Sequence, residues 1–285
     1  MNRLLLVGHG RMGQIVESLA PTYGFELVAA VTERDADAFT RDYGRVDVAI
    51  DFTVPEAVPV NLPQLAARGI NVVIGTTGWL EHEAALKSEA ARAGIGVVAS
   101  ANFSLGMNLF MLLAEDAARL FSARDDVGAW IHELHHAAKK DAPSGTALML
   151  QRAMVAAGYA RDIDVAATRA GSIPGTHTIG FDGPSETVTL THQVRDRGVF
   201  ARGALEAARW LVGRRGWFTM RDVLTTRTSV PGQRLVAEVA GAAPGSQGAR
   251  SEHIGRYVSD EQRGEAGCPA REFGDESLTR DTDGD

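Results

Sequence analysis

The chain has 285 residues, 45% of them hydrophobic and 23% charged, with a formal net charge of −7. That is enough apolar side chain for a substantial core and more than one domain. The acidic balance offers no basic surface for nucleic acid, and the single cysteine, Cys268, excludes an internal disulfide and a cysteine-based zinc site, so no metal is expected. The opening MNRLLLVGHG reaches its glycines too soon for a signal peptide or a membrane span, and a cytoplasmic protein without a membrane partner is expected.

The first hundred residues alternate apolar runs with helical stretches. Leu4 to Val7 enters Gly8-His9-Gly10-Arg11-Met12-Gly13, and a helix from about Arg11 to Ala20 stops at Pro21. Further strands are expected at Glu26 to Thr32, Val46 to Ile50, Asn71 to Ile74 and Gly96 to Ala99. One helix starts near Pro55 and ends at Gly69, and an Ala-rich helix separates the fourth and fifth strands. Strands and helices alternating over short loops predict an α/β fold: a Rossmann-type, doubly wound parallel sheet.

A helix should then run from Leu105 to Phe121, and a strand from Ala129 to Leu134 delivers His135 and His136. Ser144 is placed to cap a helix through about Ala157. Residues 176–181 and 186–194 alternate as strands around the turn Asp182-Gly183-Pro184. An α+β substrate and oligomerisation domain with a mixed sheet is expected over 104–197. The nucleotide domain, 1–103, is completed by 198–224, where a helix at Ala204 to Val212 precedes Gly216 to Leu224. Beyond Leu224 apolar periodicity is lost; 225–285 read as a disordered tail, with room for a short amphipathic piece at Leu235 to Ala240.

Gly8-x-Gly10-x-x-Gly13 follows a strand and opens a helix, the context in which backbone approaches a pyrophosphate at a helix N-terminus. Glu33 ends the second strand, about 20 positions on, where a carboxylate binds the adenosine ribose of NAD. Arg34, next to it, suits the 2′-phosphate of NADP, and Arg11 is a second candidate for phosphate. NADPH, NADH or both are therefore expected. Three later loops end strands on the same sheet edge: Asp51-Phe52-Thr53, Gly75-Thr76-Thr77-Gly78 and Ser100-Ala101-Asn102-Phe103-Ser104.

The segment richest in chemistry is Glu133 to Ala147, ELHHAAKKDAPSGTA. The chain has only three lysines, Lys87, Lys139 and Lys140, and two fall here beside paired histidines. A lysine ammonium has transferable protons and a histidine titrates near neutrality, so the segment suits receiving a substrate carboxylate and supplying a proton. Lys140 is read as a surface charge.

These residues closely resemble the dihydrodipicolinate reductase family, also called 4-hydroxy-tetrahydrodipicolinate reductase. The resemblance rests on GRMG at 10–13, DFT at 51–53, IGTTG at 74–78, ANFS at 101–104 and HHxxKxDAPSGTA at 135–147. RAGxxxGxH at 169–177, Arg197 with Phe200 and Gly203, and MRDVL at 220–224 complete it. It implies NAD(P)H-dependent reduction of the cyclic dicarboxylate to tetrahydrodipicolinate in diaminopimelate and lysine biosynthesis, by a homotetramer. His135 and Lys139 would handle protons. His136, Lys139, Ser144, Gly145, Thr146 and Arg197 would hold the substrate. Gly8, Gly10, Arg11, Met12, Gly13, Glu33, Arg34, Phe52, Gly75, Thr76, Thr77, Ala101, Asn102 and Phe103 would bind the cofactor. Arg169 and His177 match positions read as supporting.

The chain departs from the family in a glycine fingerprint one residue shorter, in a short 158–168, and in residues 225–285, which have no counterpart. The alternatives are an NAD(P)-dependent oxidoreductase of the same build acting on another amino-acid-derived substrate, and a non-catalytic nucleotide sensor. The intact His135 and Lys139 argue against the sensor.

Overall fold

The computed structural model describes residues 1–226 apart from Ala36. The expected tail and its amphipathic piece lie outside the described residues.

The apolar run after Asn2 becomes β1 (Asn2–Val7), an interior strand of a six-stranded sheet. Leu4 and Leu6 face a layer containing α1 (Arg11–Leu19) and α6 (Gly198–Leu211), whereas Leu5 and Val7 face α2 (Val58–Ala67) and α3 (Glu83–Ala93). A strand buried on both faces reads as one continuous apolar run, which is why it stands out in the sequence.

The neighbours of β1 are β2 (Phe25–Val31) and β3 (Val48–Asp51); beyond β3 lie β4 (Asn71–Ile74), β5 (Gly96–Ala99) and β10 (Gly216–Phe218). Every pairing is parallel, in the order β10-β5-β4-β3-β1-β2. The chain leaves β1 to one side for β2 and to the other for β3, so the crevice at their C-terminal ends is a topological switch point.

Boundaries moved where proline and edge effects act. Pro21 does not end the first helix in coil but opens a 3-10 turn, Ala20–Tyr23, closed by Gly24 at φ +81°. Pro55 likewise opens a 3-10 turn before α2. β3 starts at Val48 rather than Val46, since Asp47 turns its carboxylate onto the Arg3 amide at 2.8 Å.

The second sheet contains β6 (Gly128–His135), β7 (Ile163–Arg169), β8 (Thr176–Asp182) and β9 (Thr187–Gln193), in the order β7-β6-β8-β9. β6 and β7 are parallel and the other pairs antiparallel, the mixed sheet expected. α4 (Leu105–Ser122) and α5 (Gly145–Ala156) cover one face, with Met107, Phe110, Leu150 and Met154 against Ile131, Ile179 and Phe181.

Two elements differ from expectation. β7 was not anticipated; it is an edge strand whose Asp164, Ala166 and Ala167 are exposed, so it carries little apolar signal. α6 begins at Gly198, six residues before Ala204, because its glycines serve packing rather than breaking. A β-carbon on Gly203 would stand 1.6 Å from the Phe103 carbonyl oxygen, so only glycine lets α6 cross there. α7 (Met220–Thr225) closes the described chain with a Thr219–Asp222 capping box, and its Arg221 pairs with Glu115 of α4.

Candidate active site

The switch-point crevice is a cavity of about 710 Å³ lined by Gly8, Gly10, Glu33, Arg34, Phe52 and Thr53 among others. Gly8 sits at φ +91°, and a β-carbon there would stand 2.3 Å from the Phe52 carbonyl oxygen. One on Gly13 would stand 2.3 Å from the Gly8 carbonyl oxygen. The loop is thus held against both the next strand and its own helix by missing side chains. α1 begins without a side-chain cap at Gly10, unlike α4 and α5, which serines cap, and has no acidic residue in its first turn. Its first amides are therefore open to an anion, and the residues present fit a dinucleotide pyrophosphate.

The far wall is set by a buried carboxylate. Asp51, 2% exposed, accepts hydrogen bonds from the Thr53 hydroxyl at 2.6 Å, the Thr76 hydroxyl at 2.9 Å and the Asn61 amide at 2.9 Å. It thereby ties the loops after β3 and β4 to α2. The Phe52 ring lies against Gly75, where a β-carbon would meet it at 2.1 Å.

The second constellation grows from β6. Alternation along a strand puts Glu133 and His135 on one face. Glu133 is wholly buried, and its oxygens accept Arg169 Nη2 at 2.6 Å, Arg169 Nη1 at 3.0 Å and the Ser144 amide at 3.0 Å. His135 Nδ1 makes a further short hydrogen bond to it. Parallel pairing of β6 with β7 sets Arg169 opposite His135, which brings the guanidinium within reach. Burial pushes the Glu133 carboxyl up, but Arg169, His135 and the Ser144 amide together hold it below its ordinary value. Removing one partner of such a buried pair costs about 3–5 kcal/mol. Glu133, His135 and His177 offer ligand atoms within 4.8 Å of one another, but a cation there would have to displace Arg169 from both Glu133 oxygens.

Ser144 is buried. Its hydroxyl caps α5 by accepting the Ala147 amide at 3.2 Å and lies 3.3 Å from His177 Nε2. Burial pushes His177 down to about 4, with the nearby His135 adding to the effect, so it is neutral at neutral pH and can accept the Ser144 proton. The outward-facing donors are then the Gly145 and Thr146 amides. Lys139 Nζ donates to Asp141 at 2.7 Å and 3.0 Å, and the Gly145 amide reaches the same carboxylate at 3.4 Å. The Lys139 ammonium holds the Asp141 carboxyl below its usual range.

Of the residues expected at the nucleotide, Gly8, Gly10, Glu33, Arg34 and Phe52 line the cavity. Arg11 is exposed at the start of α1, while Met12 packs on the core and Gly13 is buried behind the loop. Thr76 is buried with its hydroxyl spent on Asp51, and Gly75, Thr77, Ala101 and Asn102 occupy the neighbouring strand-end loops. Phe103 is a core residue, edge-on to Phe52 with ring centroids 6.4 Å apart. His135, Lys139, Ser144, Gly145 and Thr146 gather around the start of α5. His136 is half-buried beside them, and Arg197 is exposed at the N-cap of α6. Reading by motif passed over Glu133, Asp141, Asp51 and His9, which lines the cavity and pairs with Glu17 at 2.6 Å. The signal for Glu133 was its place two residues before His135, and that for Asp51 its place at the head of the DFT motif.

A parallel sheet with an anion-ready glycine turn, together with a helix start that carries lysine and histidine, marks the class as a nicotinamide-dependent oxidoreductase. Residues 2–103 match the family described as dihydrodipicolinate reductase, N-terminus, and residues 106–224 match its C-terminus. The chain belongs to the dihydrodipicolinate reductase family. It is 34% identical over 233 residues to a 4-hydroxy-tetrahydrodipicolinate reductase of Christiangramia forsetii, covering 78% of this chain and 97% of that one. A protein of the same name from Caldanaerobacter subterraneus is 38% identical over 254 residues, covering 79% of this chain and 98% of that one. The fold is similar to a dipicolinate-bound dihydrodipicolinate reductase from Paenisporosarcina sp. TG-14, with TM-score 0.66, 23% identity and coverage of 77% of this chain and 97% of that one.

Proposed function

We propose that this chain reduces 4-hydroxy-tetrahydrodipicolinate (dihydrodipicolinate) to tetrahydrodipicolinate with NADPH or NADH, a step of diaminopimelate and lysine biosynthesis. The observation that carries the reading is the Asp141 carboxylate, gripped by Lys139 and facing the Gly145 amide. An ammonium and the first amide of a helix on one carboxylate are the elements needed to hold a dicarboxylate substrate. Substrate would take the place of Asp141, and Gly145 and Thr146 would donate to it, with Ser144 fixing the turn from within. His136 and Arg197 are the further cationic candidates for the second carboxylate.

When bound, the reduced nicotinamide supplies the hydride. Gly8, Gly10 and Arg11 would receive the phosphates, with Gly13 letting the loop close onto α1 behind them. Glu33 and Arg34, side by side at the cavity, suit a ribose hydroxyl and a 2′-phosphate in turn. Phe52, Gly75 to Thr77 and Ala101 to Phe103 shape the nicotinamide end. Holding the dicarboxylate ring fixed is orientation catalysis, and Lys139 with His135 delivers the proton. Residues 1–103 with 198–224 serve the nucleotide, and 104–197 the substrate.

Among the described residues no helix is long and apolar enough to cross a membrane, and a cytoplasmic location fits the reading. A homotetramer is the proposed assembly, supported by the outward face of the second sheet, opposite α4 and α5. There Trp130, His132, Thr178, Thr189 and Thr191 share one face, with the Thr178 and Thr191 hydroxyls 3.0 Å apart.

Lys139→Ala is expected to lower turnover roughly a hundredfold while NADPH still binds, since proton transfer by a positioned group contributes about that much. Steady-state turnover beside fluorescence titration of NADPH measures both, and unchanged turnover would remove Lys139 from the chemistry.

A further inference from the structure

We propose that Glu133 is the positioning residue that couples the two halves of the substrate site, fixing the imidazole of His135 and the anion-binding turn at Ser144 with one carboxylate. This rests on the reductase reading for the roles of His135 and Ser144. The geometry is independent of it: one buried carboxylate accepts from His135 Nδ1, from the Ser144 amide and from both ends of Arg169.

Each contact has a separate consequence. A carboxylate accepts only, so His135 must carry its proton on Nδ1, and in the neutral ring Nε2 is left bare. Nε2 faces Gly175, where a β-carbon would stand 3.1 Å away, so that glycine keeps room beside the reacting nitrogen. The Ser144 amide, drawn inward at 3.0 Å, sets the residue that caps α5 and so aims the Gly145 and Thr146 amides outward. Arg169 holds the carboxylate from the opposite side and also donates to the Asp141 carbonyl, which places the loop carrying Lys139. A hydrogen-bonded carboxylate behind a histidine fixes the orientation of the ring without touching substrate.

The charged and titratable groups around His135 are Glu133 on its own strand, Arg169 on β7, His177 on β8 with His192 beyond it on β9, and Lys139 with Asp141 before α5. Of these, Glu133 alone hydrogen-bonds His135 Nδ1. His177 meets the His135 ring edge-on, with centroids 5.2 Å apart.

The test has two arms on the full-length chain. Nitrogen-resolved NMR of the imidazoles should find neutral His135 protonated on Nδ1; a ring protonated on Nε2 would overturn the proposal, and this arm needs no variant to fold. Glu133→Gln leaves one acceptor oxygen for four donors. It is expected to lower kcat roughly tenfold or more and to raise KM for the dicarboxylate, while Kd for NADPH stays within about twofold. Glu133→Asp, which keeps the charge, should recover part of the loss. If Glu133→Gln weakens NADPH binding and thermal stability in step with turnover, with no recovery in Glu133→Asp, Glu133 is only a structural buttress and the proposal fails. A wild-type chain that does not turn over the dicarboxylate contradicts the reductase reading instead, and the NMR arm still decides the position of the proton.

Discussion

Glu133 and His177 are buried side chains, and each meets burial differently. Glu133 stays charged because it collects donors from three elements, whereas His177 stays neutral, and its Nδ1 has no hydrogen-bond partner. The difference appears in stability against pH. With a folded pKa of about 4 against an ordinary 6.5, His177 stays unprotonated over a range in which the unfolded chain takes up a proton. The stability from its neutrality is therefore complete above pH 6.5 and is lost as pH falls towards 4, roughly 3 kcal/mol in all. His192, lowered by burial, acts in the same direction, and Glu133, held below its ordinary value, adds a further loss at lower pH. Denaturant midpoints should fall between pH 6.5 and 4.5, and His177→Gln should flatten that fall; parallel curves for the two proteins would contradict it. At this scale the sequence displayed what is local. Two of the three lysines, the paired histidines and the Pro-Ser-Gly-Thr turn stand within fifteen residues of each other, and the structure gathers His135, Lys139 and Ser144 around one helix start. Arg169 lies 36 residues from Glu133, so its grip on that carboxylate depends on the register of β6 with β7 and on nothing visible in either segment.

Among the elements, those buried on both faces were the most legible. β1, β3, β4 and β5 carry unbroken apolar runs because helices cover both sides, and the serine caps of α4 and α5 mark their starts. β7 was missed because an edge strand needs only one apolar face, and the start of α6 because glycine in a helix reads as a stop until its close crossing over Phe103 is known. The outward face of β6, β8 and β9, the proposed interface, gave no signal of its own: threonines alternate there as they would on any solvated strand. Its Thr178–Thr191 hydroxyl pair suits packing of like sheets about a symmetry axis. Sedimentation of the intact chain should give a tetramer, and Thr178→Lys with Thr191→Lys should shift it to smaller species that keep their circular dichroism. A monomer in the unmodified chain would contradict the proposed assembly.

For the whole molecule, the division of labour follows from the two sheets. The parallel sheet supplies a glycine turn and an open helix start for a nucleotide; the mixed sheet supplies a buried carboxylate, a histidine and a lysine for a dicarboxylate. α6 returns from β9 to pack against β3, β4 and β5, and Arg221 pairs with Glu115, so the chain's last described segment binds the halves into one body. On the proposed reading neither half completes the reaction alone, since one would receive the hydride donor and the other the acceptor and its proton. The most direct measurement is therefore the loss of reduced-nicotinamide absorbance when the full chain meets the condensation product of pyruvate and aspartate semialdehyde. Prompt oxidation of NADPH or NADH, strictly dependent on that dicarboxylate, is the predicted result. No oxidation with either cofactor would contradict the account and favour an oxidoreductase of the same build with a different amino-acid-derived substrate.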